Sequence, residues 1–335
     1  MSNPTAVLFC PGRGSYGKDE LGFLTRTLRK GPVADALKAS DARRREQQKT
    51  PISELDGAEQ YRPGVHGDGQ NAAELIYFST LAHTELLRSK YRIIAVAGNS
   101  LGWYTALSAS QALDPTSGFR LVATMAELQK QNAGGQILTT TLGEDWLADA
   151  TRYNGIDAAL EKVNALGADF FCTRSIRLGG HEVLAGTEAA IKQLLVALPK
   201  IRLGDRDYPF RLAGHGPFHT KLCETAARQA AMTLAGIPMR EPQCHLIDGF
   251  GNVHSPWSAD PARLFDYTTN AQVIETYDFS AVVRTALREF NPDVLLCAGP
   301  GKSLRAPVGH VVLREGWRNL RDKQALFASP VIASD

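Results

Sequence analysis

The chain has 335 residues, of which 44% are hydrophobic and 21% are charged. These proportions are ordinary for a globular protein, and the length suits either one large domain with an insert or two domains. The net charge of +2 indicates neither a nucleic-acid partner nor binding to an anionic membrane. No apolar run approaches the roughly 20 residues that span a bilayer.

Cysteine usage and the first residues of the chain bear on its compartment. The cysteines are Cys10, Cys172, Cys223, Cys244 and Cys297. They are scattered, odd in number and form no C-x-x-C pair, so the sequence predicts neither a zinc site nor a disulfide framework. Residues 1–4 lack the basic flank and the apolar core of a secretory signal. We therefore expect a cytoplasmic protein.

An apolar run over residues 6–10 predicts a buried first strand. Residues 12–17 then carry the pattern G-x-G-x-x-G, which joins a strand to a helix in dinucleotide-binding folds. Two features argue against that function. Pro11 suits a sharp loop exit rather than a glycine turn into a helix, and no second strand ending in an acidic residue follows. The next predicted element is instead a helix over 33–49.

The middle of the chain contains a strand and a serine turn between predicted helices. Residues 50–69 are rich in Pro, Gly and polar residues and predict a loop. The helices are predicted over 70–91, 104–113 and 118–131. An apolar run over 93–97 predicts the strand that leads into the turn.

The turn itself, residues 98–102, reads G-N-S-L-G. Strand, sharp turn and helix with a serine at the apex form the nucleophile elbow of hydrolases. The flanking glycines allow strand and helix to approach closely, and the helix N-terminus offers free N–H groups. An ordinary β-turn-α junction with Ser100 as N-cap is the alternative interpretation of this turn alone.

After residues 134–135 the pattern changes. Strands are predicted over 136–142, 168–173, 182–186 and 208–212, and helices over 149–166 and 187–198. This β-α-β-β-α-β order is typical of a ferredoxin-like unit. Residues 134–212 are therefore predicted to form a small inserted subdomain.

After residue 212, predicted helices and strands alternate again. Helices are predicted over 220–234 and 278–290, and strands over 245–248 and 294–298. Residues 1–133 and 213–335 together form the predicted core. The expected fold class is α/β, with a parallel sheet in the core.

A nucleophilic serine needs a general base. His219 is the best candidate, because it lies in G-P-F-H-T (216–220), where the chain leaves the insert at the start of a helix. His215 is the near alternative. The other six histidines have no motif context.

Taken together, these motifs resemble the malonyl-CoA:acyl carrier protein transacylases and the acyltransferase domains of fatty-acid and polyketide synthases. Residues 9–15 are similar to the family's F-P-G-Q-G-S-Q opening, and 98–102 to its G-H-S-L-G elbow. Residues 216–220 are similar to its G-A-F-H-T, and 298–304 to its G-P-G-x-x-L. Gln70 matches a glutamine that opens a helix at the family's pocket. The resemblance implies an α/β-hydrolase-like core with an inserted ferredoxin-like subdomain.

The resemblance also implies a Ser–His dyad and ping-pong acyl transfer. His219 would take the proton of Ser100, which attacks an acyl thioester. The backbone N–H groups of Leu101 and Arg13 would form the oxyanion hole. No permanent cofactor or metal is implied, since a coenzyme A thioester is the substrate and an acyl carrier protein the acceptor.

In the family a backbone carbonyl usually orients the histidine. The segment around Asp248 and Gly249 matches that place, although the family's asparagine is missing there. Asp248 is the candidate to replace it, with a role as a strand-end turn residue as the alternative.

Departures from the family pattern bear on the substrate. Malonyl-specific members carry an arginine in a run like R-L-V-x-x-R, but Met125 stands at that position here. A thioether cannot bind a carboxylate as a bidentate arginine does, so a neutral acyl group is favoured. A relocated clamp supplied by Arg13, which replaces a glutamine, is the alternative.

Three further positions belong to the expected substrate pocket. Asn99 replaces a histidine and Trp103 replaces a glutamate beside the elbow, and Phe218 narrows the pocket as in members that take unbranched units. A thioester hydrolase of the same fold is the alternative function, since no single residue decides whether water or a phosphopantetheine thiol takes the acyl group. A non-catalytic carrier-binding module is disfavoured because serine and histidine are retained. A monomer is expected.

Overall fold

The computed structural model describes residues 3–130 and 132–334; Gln131, the predicted end of one helix, lies outside the described part, as do residues 1, 2 and 335. The strands are β1 (Thr5–Cys10), β2 (Arg92–Gly98), β3 (Gly135–Thr140), β4 (Cys172–Leu178), β5 (His181–Gly186), β6 (Ile201–Leu203), β7 (Arg206–Tyr208), β8 (Phe210–Arg211), β9 (His245–Ile247), β10 (Val253–His254), β11 (Tyr277–Asp278), β12 (Val294–Cys297) and β13 (Ile332–Ala333). The helices are α1 (Phe23–Thr27), α2 (Pro32–Glu46), α3 (Ile52–Asp56), α4 (Pro63–His66), α5 (Gly69–Arg88), α6 (Gly102–Ala109), α7 (Pro115–Gln129), α8 (Ala150–Asn164), α9 (Glu188–Ala197), α10 (Glu224–Thr233), α11 (Pro261–Thr269), α12 (Ala271–Ile274), α13 (Phe279–Thr285), α14 (Arg305–Glu315) and α15 (Lys323–Ala328).

The larger sheet has six strands in the order β10-β9-β2-β1-β12-β13. All neighbours are parallel except the edge pair β9–β10. Residues 6–10 of β1 are fully buried, which is typical of a parallel strand covered by helices on both faces. In such a sheet, ligands bind outside the carboxyl ends of the strands. The serine turn follows β2 at that edge.

The second sheet has the order β11-β4-β5-β3-β8. The pairs β4–β5, β3–β5 and β3–β8 are all antiparallel. The sheet also takes up β11, which comes from outside residues 134–212 and pairs parallel with β4. Residues 134–212 are therefore tied to the rest of the chain by the pairing of β4 with β11.

A second apolar cluster lies within residues 134–212, where α8 and α9 pack on the sheet. Its members include Ile137, Leu160, Leu184 and Leu194, all of them buried. The main cluster surrounds the larger sheet and continues across to Ile176 and Val183 of the second sheet. Within residues 3–130 and 132–334, no helix is long and apolar enough to cross a membrane.

Several elements differ from those predicted. The predicted loop over 50–69 contains the short helices α3 and α4, and the predicted strand over 168–173 lies later, at Cys172–Leu178. Helices α11 and α12 occupy a stretch for which no element is predicted. Asp260 caps α11 through its side chain, with Pro261 in the first turn, a start signal that is visible in the sequence.

Candidate active site

The serine turn has the backbone geometry of a strained elbow. Ser100 has a φ of 56°, a left-handed conformation that a residue with a side chain rarely adopts. A Cβ at Gly98 would overlap the backbone of Gly102, and a Cβ at Gly102 would overlap the carbonyl of Cys10. Only glycine therefore allows β1, β2 and α6 to approach this closely at the apex.

The serine hydroxyl contacts one histidine. Ser100 Oγ lies 2.7 Å from Nε2 of His219, and Nδ1 of His219 lies 2.7 Å from the backbone oxygen of Gln272. A carbonyl oxygen only accepts, so Nδ1 carries the proton and Nε2 is left as the acceptor for the serine O–H. This is the tautomer that a general base needs.

Gln272, on α12, contacts both members of this pair. Its backbone oxygen accepts from His219, and its side-chain Nε2 donates to the backbone oxygen of Ser100 at 3.2 Å. Its Oε1 accepts from the hydroxyl of Tyr104 at 2.7 Å. The residue therefore fixes the ring orientation and the serine turn together.

The prediction that Asp248 or Gly249 orients the histidine is wrong. The Asp248 carboxylate accepts from Nε2 of His254 at 3.0 Å and from N–H groups of its own turn. The Gly249 N–H donates to the hydroxyl of Tyr267. The acceptor is a backbone carbonyl, but it belongs to Gln272, because α12 rather than the end of β9 lies against the imidazole.

Two backbone donors near the serine are free. The N–H groups of Leu101 and Arg13 have no acceptor among the described residues. Leu101 directly follows the nucleophile and precedes α6, so its N–H lies at the positive end of a helix. Free donors of this kind stabilise an oxyanion.

His215 lies near the site but does not contact the serine. Its Nδ1 lies 2.8 Å from Oε1 of Gln136. Burial, together with the charge of Arg13, lowers its pKa to about 3, so the ring is neutral. Cys223 is no alternative nucleophile, because burial raises its pKa to about 12 and the thiolate is the reactive form.

Burial lowers the pKa of His219 from 6.5 to about 4, and the hydrogen bond to Gln272 offsets this only in part. A base must be neutral, so activity is lost as pH falls through this pKa. We expect kcat/KM for acylation of Ser100 to be flat between about pH 8 and 5 and to fall about tenfold per unit below the pKa. Stopped-flow mixing into each pH measures the rate before acid unfolding. An inflection near 6.5 would contradict the buried, neutral histidine.

A cleft of about 380 Å³ adjoins the histidine through Phe218. Its walls come from the loop at Arg13, the start of α5, the end of α7 and the segment 211–218. The Arg13 guanidinium lies 4.8 Å from the Phe218 ring centroid. Asp68, which also lines the cleft, is the acidic residue whose charge acts on this guanidinium. At the mouth, Lys130 lies 3.8 Å from Asp68.

Of the residues predicted to bind substrate, Phe218 and Arg13 line this cleft. Gln70 lies beside it, one residue after the lining Gly69, and its backbone N–H donates to Asp68. Asn99 is 9% exposed, with its Oδ1 unpaired and its amide packed against Gly12.

Four of those residues, Gln70, Asn99, Met125 and Trp103, do not line the cleft, and for Met125 and Trp103, which are fully buried, the prediction is wrong. Met125 is fully buried in the main apolar cluster; Ala126 and Gln129, three residues apart on one helix face, line the cleft instead. Trp103 is also fully buried. Its Nε1 donates to Thr268, and its ring packs edge-on against Tyr267. Both side chains pack the core behind the site.

Among the described residues, no group of three or more His, Cys, Asp or Glu side chains is placed to hold a metal ion. The site residue that sequence reasoning missed is Gln272. A backbone carbonyl has no side-chain signature, so only the capping signal of the preceding helix pointed to structure there.

The sequence matches no family model and no curated protein. Solved structures match over nearly the whole chain. MCAT from Streptococcus pneumoniae is 24% identical, with 92% of each chain covered and a TM-score of 0.69. The malonyl-CoA:ACP transacylase of Synechocystis sp. PCC 6803 is 19% identical, with 92% of this chain and 94% of that chain covered and a TM-score of 0.70.

A malonyl-transacylase solved in complex with its type II PKS acyl-carrier protein is 19% identical. The match covers 98% of this chain and 99% of that chain, with a TM-score of 0.72. At these identities the likeness establishes the fold, which agrees with the mixed α/β architecture and the parallel sheet expected from the sequence. The chain has the fold of the malonyl-CoA:acyl carrier protein transacylases.

Proposed function

We propose that this protein is an acyltransferase that moves an acyl group from coenzyme A to the phosphopantetheine thiol of an acyl carrier protein. The observation that carries the proposal is the contact of 2.7 Å between Ser100 Oγ and His219 Nε2, with Nδ1 held by the Gln272 carbonyl. The fold adds support, since a relative was solved with its carrier protein.

The first half-reaction forms an ester on Ser100. The hydroxyl oxygen attacks the thioester carbonyl while His219 Nε2 takes its proton. The oxyanion is stabilised by the N–H groups of Leu101 and Arg13. Collapse breaks the carbon–sulfur bond, and the coenzyme A thiolate leaves with the proton from His219.

The second half-reaction reverses these roles. His219 takes the proton of the phosphopantetheine thiol, and the thiolate attacks the ester carbonyl. Collapse returns the proton to Ser100 and leaves a new thioester on the carrier protein. Neither half-reaction needs a permanent cofactor. The expected cytoplasmic location and monomeric state stay predictions.

Transfer is distinguished from hydrolysis by the fate of the acyl-enzyme. Acylated protein is isolated and its mass followed with and without holo carrier protein. A transferase loses the acyl group much faster when carrier protein is present, and the group appears on the carrier. Decay at equal rates in the two samples would identify the alternative, a thioester hydrolase.

We propose a neutral acyl group, because the cleft face of α7 presents Ala126 and Gln129 rather than an arginine. We expect kcat/KM for acetyl-CoA to exceed that for malonyl-CoA at least about tenfold, the size of a lost charge-assisted pair. Arg13 provides the observation in favour of carboxylated acyl groups, since its guanidinium lies in the cleft over the Phe218 ring.

Initial rates with both thioesters, measured for the wild type and for Arg13→Gln, decide between the two acyl classes. The substitution keeps the backbone N–H of the oxyanion hole and removes the cation together with its contact to the Phe218 ring. Faster malonyl transfer that collapses in Arg13→Gln would contradict the neutral preference and assign the clamp to Arg13.

A further inference from the structure

A chain of buried hydrogen bonds runs from the second sheet to the residue before the general base. Ser175 Oγ donates to the carbonyl oxygen of Phe218 at 2.8 Å, and Gln136 Nε2 donates to Ser175 Oγ at 2.6 Å. The same amide nitrogen lies 3.5 Å from the Phe218 oxygen. Gln136 Oε1 accepts from Nδ1 of His215. Ser175 and Gln136 are both buried, so each bond is made in a low-dielectric interior.

A shift in strand register sets the direction of the Ser175 side chain. The pairing of β4 with β5 shifts between Arg174 and Ile176, so Ser175 has no partner in β5. A bulge of this kind re-aims a side chain and is common next to active sites. Here the freed position turns its hydroxyl toward the Phe218 carbonyl.

The residue that follows this carbonyl is under backbone strain. His219 has a φ of 57°, and a residue with a side chain keeps that conformation only where its surroundings hold it. Its ring is held by Ser100 and Gln272. On its N-terminal side the backbone is held by the hydrogen bonds that Ser175 and Gln136 of the second sheet donate to the Phe218 carbonyl oxygen.

We propose that Ser175 and Gln136 are positioning residues for the Ser100–His219 pair. They fix the peptide before His219, and thereby keep Nε2 within reach of the serine hydroxyl. The inference rests on the proposed function for its relevance to acyl transfer, but it concerns the activation of Ser100 whatever acyl group is used.

Loss of the Ser175 hydroxyl leaves the Phe218 oxygen with only the 3.5 Å contact to Gln136. The strained peptide then relaxes, and Nε2 moves relative to the nucleophile. A displacement near 1 Å costs about 100-fold in rate. We therefore expect Ser175→Ala to lower the acylation rate constant about 10- to 100-fold and to leave KM within about twofold.

The chain offers a matched control. Thr139, on β3, is fully buried, and its hydroxyl has no partner among the described side chains and backbone. Thr139→Val therefore removes a buried hydroxyl from the same sheet without touching the hydrogen-bond chain. If Ser175→Ala fails to fold, Gln136→Met tests the other positioning residue, because it removes the donor to Ser175 and the acceptor for His215; slower labelling of Ser100 is again expected.

The experiment measures three quantities on the full-length wild type and each variant. These are the labelling rate of Ser100 by a fluorophosphonate, kcat and KM with acetyl-CoA and holo carrier protein, and the free energy of unfolding in urea. The fluorophosphonate reports serine activation without an acyl substrate. The expected result is slow labelling and low kcat in Ser175→Ala, with KM unchanged and Thr139→Val within twofold of the wild type.

Labelling and kcat within about twofold of the wild type in a folded Ser175→Ala, or equal losses in Thr139→Val, would overturn the positioning role. A wild type that reacts with the probe but not with any acyl-CoA would defeat the proposed function alone, and the probe rates would still decide the positioning role. A wild type inert to the probe would overturn both, because no activated serine would remain to be positioned.

Discussion

Ser100→Ala is expected to lower acyl transfer at least about 1,000-fold, to the level that the oxyanion donors and substrate binding provide alone. Alanine has the same Cβ as serine, so the substitution adds no new atom to the left-handed turn and removes only the oxygen that forms the ester. Steady-state transfer of acetyl from acetyl-CoA to holo carrier protein measures the loss. Ser79→Ala is the control, since the Ser79 hydroxyl is fully buried on α5 and has no partner among the described residues.

His219→Ala should show a loss of similar size, and the double variant should lose little more than either single variant. Residues that act as one unit are strongly non-additive in this way. Losses that add in the double variant would show that serine and histidine act independently, against the contact of 2.7 Å between them.

Gly102→Ala is expected to destabilise the fold by about 3 kcal/mol or to prevent folding. The new Cβ would overlap the carbonyl oxygen of Cys10, and both atoms belong to rigid backbone at the point where α6 meets β1. Gly64→Ala is the matched control: it is the same substitution, but the space around Gly64 is open. Urea unfolding measures both variants.

Stability of Gly102→Ala within about 0.5 kcal/mol of the wild type would contradict the close approach that defines the elbow. A folded but inactive Gly102→Ala would instead show that the serine turn had moved while the sheet survived. Gly64→Ala should stay active in either case.

The sequence was informative where side-chain type and spacing carry the signal. The apolar runs before residues 12 and 98 predicted β1 and β2, and the glycines at 98 and 102 predicted the tight turn that the structure contains. The motif at 216–220 points to His219, whose Nε2 lies 2.7 Å from Ser100 Oγ in the structure. These features are local, and local chemistry requires particular residues there.

The other features of the site depend on contacts between residues far apart in the sequence, which a local pattern does not show. The acceptor for His219 is a main-chain oxygen of Gln272, and every residue type has one. The sequence pattern also does not show in which direction a side chain on α7 points. Residues 125 and 126 differ by about 100° around α7, so one packs the core while the other lines the cleft. The hydrogen bond from Ser175 to the Phe218 carbonyl oxygen depends on a bulge between β4 and β5.

The most direct test of the account is the site of covalent attachment. Wild-type protein is mixed with acetyl-CoA, quenched in acid within seconds, digested and sequenced by tandem mass spectrometry. The account predicts one acetyl ester, on Ser100, that disappears when holo carrier protein is added before the quench. An acetyl group on another residue, or turnover with Ser100 unmodified under conditions that trap a known acyl-enzyme, would contradict it.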